Sequence, residues 1–145
     1  MLRIWIFTCL GMGVFLNSGF GQNEIMDLTK HIWKDRVLLI CSSDTTSAAY
    51  QEQLDFLTQN KAGLKERKLK TYVIQPDGYF LLGDNQIHSS KAWNNFNKRG
   101  RPFLFQLIGL DGGVKLTKEV PVLQSELFAL IDGMPMRRAE LRKRQ

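Results

Sequence analysis

Cysteine is nearly absent from this chain, which holds two in 145 residues, Cys9 and Cys41. Histidine is as scarce, with only His31 and His88, and the two stand far apart. There is no CxxC and no HxxxH, so a zinc or iron site lacks the donors it would be built from, and neither a metal nor another cofactor is expected. No internal repeat and no low-complexity tract is visible. Long apolar runs are missing too. The one uncharged stretch of any length, IWIFTCLGMGVFL (4–16), is short for a bilayer span. A single domain with 43% hydrophobic and 23% charged residues remains, and a chain of this length can bury a sizeable core without staples.

The apolar stretch is better explained as part of a leader. Arg3 precedes it, and the small, polar NSGFGQ (17–22) follows, with Gly19 and Gly21 at the −3 and −1 positions of a cleavage site before Gln22. Cys9 lies inside the apolar core behind Ile6, Phe7 and Thr8, which is no lipoprotein signal. The expectation is a signal peptide over 1–21 and export to the periplasm or the extracellular space. Cleavage leaves Cys41 as the lone thiol, so no intramolecular disulfide can form and the fold rests on packing.

Charge is unevenly spread. The chain is formally +6, but residues 137–145 hold Arg137, Arg138, Arg142, Lys143 and Arg144 against Glu140 alone. That segment is +4 and Arg3 adds one more, so residues 22–136 are close to neutral at +1. The expected organisation is a signal peptide (1–21), a domain (22–136) and a basic C-terminal tail (137–145). Nucleic acid is not an expected partner for an exported chain.

Periodicity supplies the elements. NEIMDLTKHIWK (23–34) suggests a short leading helix. RVLLIC (36–41) reads as a strand buried on both faces. Ser42, Ser43, Asp44 and Thr45 are competent helix caps, followed by the stripe Ala49, Tyr50, Leu54 and Leu57, with Gly63 at the helix's end or at a break in it. LKTYVI (69–74) is a second strand, stopped by Pro76, Asp77 and Gly78. Residues 79–100 carry little signal beyond a short helix near 90–96. PFLFQLIGL (102–110) is the strongest strand, turned by Asp111, Gly112 and Gly113 into VKLT (114–117). A last helix over 123–132 presents Leu127, Leu130 and Ile131, with Gly133 and Pro135 ending it. A βαβ unit, then a β-hairpin and a closing helix, predicts an α/β three-layer sandwich on a mixed sheet.

Two segments resemble thioredoxins. VLLICSSDTTSAAYQEQLDFL (37–57) has the strand–loop–helix layout that carries the CxxC in that family, and GRPFLFQLIGLDGGVKL (100–116) is similar to its proline-then-hairpin segment. The resemblance implies a thioredoxin-like fold with Pro102 as a cis-proline. It also puts Thr46 and Ala49 where the redox cysteines belong, which closes ordinary dithiol exchange. More narrowly, IWKDRVLLI (32–40) and GLDGGVKLTKEVPVLQSELFALIDGMPMRRAEL (109–141) resemble the start and end of a domain of unknown function. That domain is shared by bacterial exported proteins, equarin and the sushi-repeat-containing proteins. Its animal relatives imply an extracellular module with adhesive or matrix-associated roles; for the bacterial ones no activity is implied.

Three function classes are compatible with these features. The first is a non-catalytic binding module in which an extended peptide or envelope protein lies between Asp44, Thr45 and Thr46 and the loop of Arg99, Arg101 and Pro102. Free backbone at the proline edge would allow strand addition there, and Lys98, Arg99 and Arg101 would favour an acidic partner. The second is a single-thiol redox enzyme, peroxidase- or glutaredoxin-like, with Cys41 as nucleophile. Against it, free cysteine at the end of a buried strand usually serves as a small hydrophobe. The third is a structural envelope protein whose basic tail meets an anionic surface. That tail also fits a helical extension, since Arg137, Glu140, Leu141 and Arg144 have the spacing of local pairs.

Overall fold

The computed structural model describes residues 26–84 and 86–144. The branched run at 36–41 forms β1 (Arg36–Ser42), all seven of whose residues are buried. Burial is complete because β1 lies inside a sheet. It pairs in parallel with β2 (Leu69–Gln75) and antiparallel with β5 (Phe103–Ile108), so Cys41 sits between Ile74 and Leu104. The sheet continues from β2 through β3 (Gly78–Leu81) to β4 (His88–Ser89), and from β5 to β6 (Val114–Lys118). Its order is β4-β3-β2-β1-β5-β6.

Alternation along the central strands separates two cores. Leu38, Ile40, Phe103, Phe105 and Leu107 face α1 (Ala48–Thr58), α2 (Lys61–Glu66) and α4 (Gln124–Gly133), meeting Tyr50, Leu57, Leu127 and Ile131. Val37, Leu39, Cys41, Leu104 and Ile108 point the other way, where Met26, Tyr72, Ile74 and Tyr79 join Ala92 and the partly buried Phe96 of α3 (Ala92–Phe96). The result is the expected three-layer α/β arrangement with a mixed sheet.

Several local expectations are corrected. The leading helix shrinks to a single 3₁₀ turn, Thr29–His31, because Trp33 takes a left-handed φ of 64° and its amide donates to Leu110 O at 2.7 Å; residues 23–25 of the expected helix lie outside the described residues. The cap of α1 is Ser47, whose hydroxyl accepts from Tyr50 N, rather than any of residues 42–45. Gly63 does not end a helix. The break is at Asn60, whose Oδ1 accepts from Gly63 N at 2.8 Å, while Gly63 packs so tightly that an added Cβ would stand 2.6 Å from the Phe128 ring.

The turn at Pro76 and Asp77 stops β2 as expected, and Gly78 then opens β3, a strand that periodicity did not show. The β3–β4 contact depends on a missing side chain, since a Cβ on Gly78 would meet His88 O at 2.5 Å. The helix over 124–133 ends at Gly133 as expected, and Pro135 also opens a further helix, α5 (Pro135–Arg142), where a residue without an amide donor is tolerated. The boundary expected at 136/137 therefore cuts through a helix docked on the domain. The helical-extension reading of that segment is the one the structure displays.

Candidate functional site

The loop after β1 is built to satisfy itself. The Asp44 carboxylate accepts from the Thr46 hydroxyl at 2.7 Å and the Thr46 amide at 2.8 Å, and these bonds hold its pKa below the usual carboxylate value. Ser42 and Ser47 hydroxyls both donate to Asp44 O, and Gln51 Nε2 donates to Thr45 O. Thr46 lies in the turn before α1 and Ala49 in its first turn, so neither position expected for a redox cysteine holds a thiol. Cys41 is 0% exposed within the apolar layer beside α3, and burial pushes its thiol up to about 12. A thiolate there is disfavoured by the same packing that makes β1 stable.

Pro102 reaches this loop, but not as the resemblance implies. The described peptide bonds are all trans, Arg101–Pro102 included. Trans is the lower-energy isomer by about 0.5–1 kcal/mol for an X–Pro bond, and the Arg101 backbone is clamped in place. The Asn97 side chain donates to Arg101 O at 2.7 Å and accepts from Arg101 N at 2.9 Å. Pro102 O is also engaged, accepting from Ser43 N at 3.2 Å. The backbone groups expected to be open for strand addition thus have partners already.

The structure places Pro102 beside Ser43 and hence next to Asp44–Thr46, while the cationic side chains go elsewhere. Lys98, Arg99 and Arg101 line a hollow of ≈ 530 Å³ bounded by Phe96, Leu104 and Gln106, and Arg101 pairs with Glu119. None of Asp44, Thr45 and Thr46 borders that hollow. The six residues expected to form one groove therefore divide into a closed turn (Asp44, Thr45, Thr46, with Pro102 against it) and a basic hollow over β5 and β6 (Arg99, Arg101).

Charge counting along the chain missed an arginine network. Arg137 is only 1% exposed. Its Nη2 donates to Glu66 Oε1 at 2.6 Å, its Nε to Asp132 Oδ1 at 3.1 Å and its Nη1 to Glu140 Oε2 at 3.5 Å. Arg36, fully buried at the start of β1, donates from Nη1 to the same Glu140 oxygen at 3.3 Å and to Arg67 O at 3.0 Å. Arg67 binds Asp132 at 2.5 Å and lies 3.9 Å over the Phe128 ring. Hydrogen bonding from Arg137 lowers the Glu66 pKa. Asp132 is penalised by burial, yet the bonds from Arg67 and Arg137 outweigh that and lower its pKa as well. The i, i+3 spacing of Arg137 and Glu140, together with an arginine directly before VLLI, was the available signal. Notably, IWKDRVLLI and MPMRR, two strings of the narrower resemblance, meet in this network.

A second polar link crosses the opposite face. Asp35 Oδ2 lies 2.8 Å from His31 Nδ1, and His31 Nε2 lies 2.9 Å from the Tyr72 hydroxyl. Burial, followed by Tyr79 and Asp35, raises the Tyr72 pKa, so the arrangement ties the 3₁₀ turn to β2 rather than activating the phenol. Among the described residues no three His, Cys, Asp or Glu side chains gather where they could hold a metal ion, and no helix is long and apolar enough to cross a membrane.

Solved structures similar to this one are the reduced 2-Cys peroxiredoxin of Plasmodium vivax and thioredoxin peroxidase I of Plasmodium yoelii. The first aligns with a TM-score of 0.54 at 16% identity over 79% of this chain and 84% of its own. The second aligns with a TM-score of 0.53 at 16% identity over 77% and 79%. At such identity the likeness is one of fold, and it makes this three-layer sandwich thioredoxin-like. No curated protein matches the chain in sequence. Residues 27–140 match the family described as a domain of unknown function, DUF4174, and by that match over most of its length the chain belongs to this family.

Proposed function

We propose that this protein is an exported, non-catalytic thioredoxin-like binding module that takes acidic segments of envelope proteins. The observation that carries the reading is the burial of Cys41, whose thiol is pushed up to about 12; the resemblance to thioredoxins, for its part, puts Thr46 and Ala49 where the redox cysteines belong. A fold without its thiolate keeps only its surfaces. Export rests on the leader expected over residues 1–21, which lies outside the described residues.

The binding surface is the basic hollow rather than the Pro102 edge. Strand addition at that edge would require the Ser43–Pro102 bond to break, whereas Lys98 and Arg99 are exposed and have no carboxylate partner among the described residues. The single-thiol peroxidase alternative draws on the fold of the structural neighbours but has no accessible thiolate. Anchoring through the C-terminal segment keeps Arg138, Arg142 and Lys143, since Arg137 is buried and Arg144 reaches Glu66 at 3.4 Å.

Peroxide consumption and dithiol exchange by the full chain, measured beside a Cys41→Ala variant, test the catalytic half of the proposal. Neither protein should turn over. Turnover lost in Cys41→Ala would overturn it. For the binding half, a Lys98→Glu/Arg99→Glu variant should lose at least tenfold in affinity for a fluorescent Asp/Glu-rich peptide.

A further inference from the structure

On the other side of the molecule, where α2 passes over the start of β2 and the end of β3, there is a second hollow of ≈ 590 Å³. Its volume falls in the usual range of ligand pockets. The half-buried Leu64, Leu81 and Leu82 give it an apolar floor over the buried Leu57, and Lys61, Lys65 and Lys70 stand exposed on its rim. Lys68 also lines it but reaches Glu140 at 3.7 Å, and the one acidic lining residue, Asp35, is held by His31 at 2.8 Å. Lys61, Lys65 and Lys70 have no carboxylate partner among the described residues. The hollow shares no lining residue with the basic hollow of Lys98 and Arg99, so a ligand here is independent of peptide binding at that surface.

We infer that this hollow binds a single-chain amphiphile with a phosphate head: the alkyl chain lies on the leucine floor and the head meets the lysine rim. Two physical arguments select that occupant. Exposed leucine surface inside a concavity gains about 25 cal/mol per Å² when an alkyl chain covers it, which a purely polar anion cannot supply. Three unpaired ammonium groups exceed the single charge of a carboxylate, whereas a phosphate monoester carries about −1.5 to −2 at neutral pH. An acidic peptide would satisfy the rim but leave the leucines uncovered.

The test is calorimetric titration of the full chain with dodecyl phosphate below its micelle concentration, beside dodecyl maltoside and inorganic phosphate. Dodecyl phosphate should bind with one-to-one stoichiometry. Dodecyl maltoside, which has the chain without the charge, should bind at least tenfold more weakly, and inorganic phosphate should give no saturable heat. A Lys61→Glu/Lys65→Glu variant, altered only at exposed positions and checked for an unchanged thermal melt, should lose at least tenfold in affinity for dodecyl phosphate. The inference is overturned if the variant binds as the parent does. It is equally overturned if inorganic phosphate competes at similar concentration, or if binding appears only with micelles.

Discussion

Two buried arginines in one network carry unequal energetic weight. Arg137 meets three carboxylates, and removing it leaves the mostly buried Glu140 with Arg36 and Lys68, while Glu66 and Asp132 stay partly exposed to water. Breaking a fully buried pair from one side costs about 3–5 kcal/mol and an exposed pair contributes about 1 kcal/mol or less, so Arg137→Met should fall between them, at about 1–3 kcal/mol, in urea unfolding. Arg36 makes bonds only through Nη1, while its Nε and Nη2 are buried with no hydrogen-bond partner among the described residues. Removing Arg36 breaks its pair with Glu140 and its bond to Arg67 O, a cost that loss of the two unpartnered donors offsets in part. Arg36→Met should therefore cost less stability than Arg137→Met. Equal losses in the two variants would mean that the network is not partitioned as the distances indicate.

Buried polar side chains also hold elements together that apolar periodicity leaves unconnected. Gln53, fully buried on α1, donates from Nε2 to Val122 O at 3.1 Å and accepts from Val122 N at 2.7 Å, so it fastens the segment leading into α4. Gln53→Leu keeps the volume but leaves a buried amide and carbonyl unpaired, at about 1–3 kcal/mol each. A loss of about 2–4 kcal/mol in denaturant midpoint analysis is expected. At Gly63 the close approach of Phe128 predicts a loss of about 1–3 kcal/mol for Gly63→Ala through overpacking.

These same positions mark the limits of the sequence reading. β1, β2, β5 and α4 were legible because the runs RVLLIC, LKTYVI and FLFQLI and the Leu127–Ile131 pair carry their own period. β3 and β4 were not, because four residues and two residues are too few for a period and the contact is set by the absence of a Gly78 side chain. Gly63 reads as a breaker in sequence when it is in fact a contact. At the candidate site, burial of Cys41 followed from its strand, but the paths of Arg99 and Arg101 depend on the Asn97 clamp, a non-periodic bond four residues away. A charge count likewise could not separate Arg137 from its exposed neighbours.

At the scale of the whole molecule, the arginine network gathers the Glu66, Asp132 and Glu140 carboxylates on one side of the sheet, and that bears on acid sensitivity. Glu66 and Asp132 have folded pKa values below their ordinary ones of 4.5 and 3.8. A depressed carboxylate contributes stability that is present above its unfolded pKa and lost as the pH falls through the folded one. Stability should hold steady above about pH 5 and decline below it. In Arg137→Met that decline should be shallower, because the carboxylates lose the partner that depresses them. A parallel decline in both proteins, read from urea midpoints between pH 3 and 7, would assign acid sensitivity to other groups.

In this thioredoxin-like fold Cys41 is a packing residue and not a reactive thiol. The most direct measurement is the rate at which a thiol reagent modifies Cys41 in native full-length protein carrying Cys9→Ser, from pH 5 to 9. A buried thiol pushed up to about 12 should react only as fast as the protein opens, and modification should accelerate in step with unfolding as denaturant is added. Fast modification of the native state, with an apparent midpoint below the free value of about 8.5, would contradict the account and make Cys41 a reactive centre.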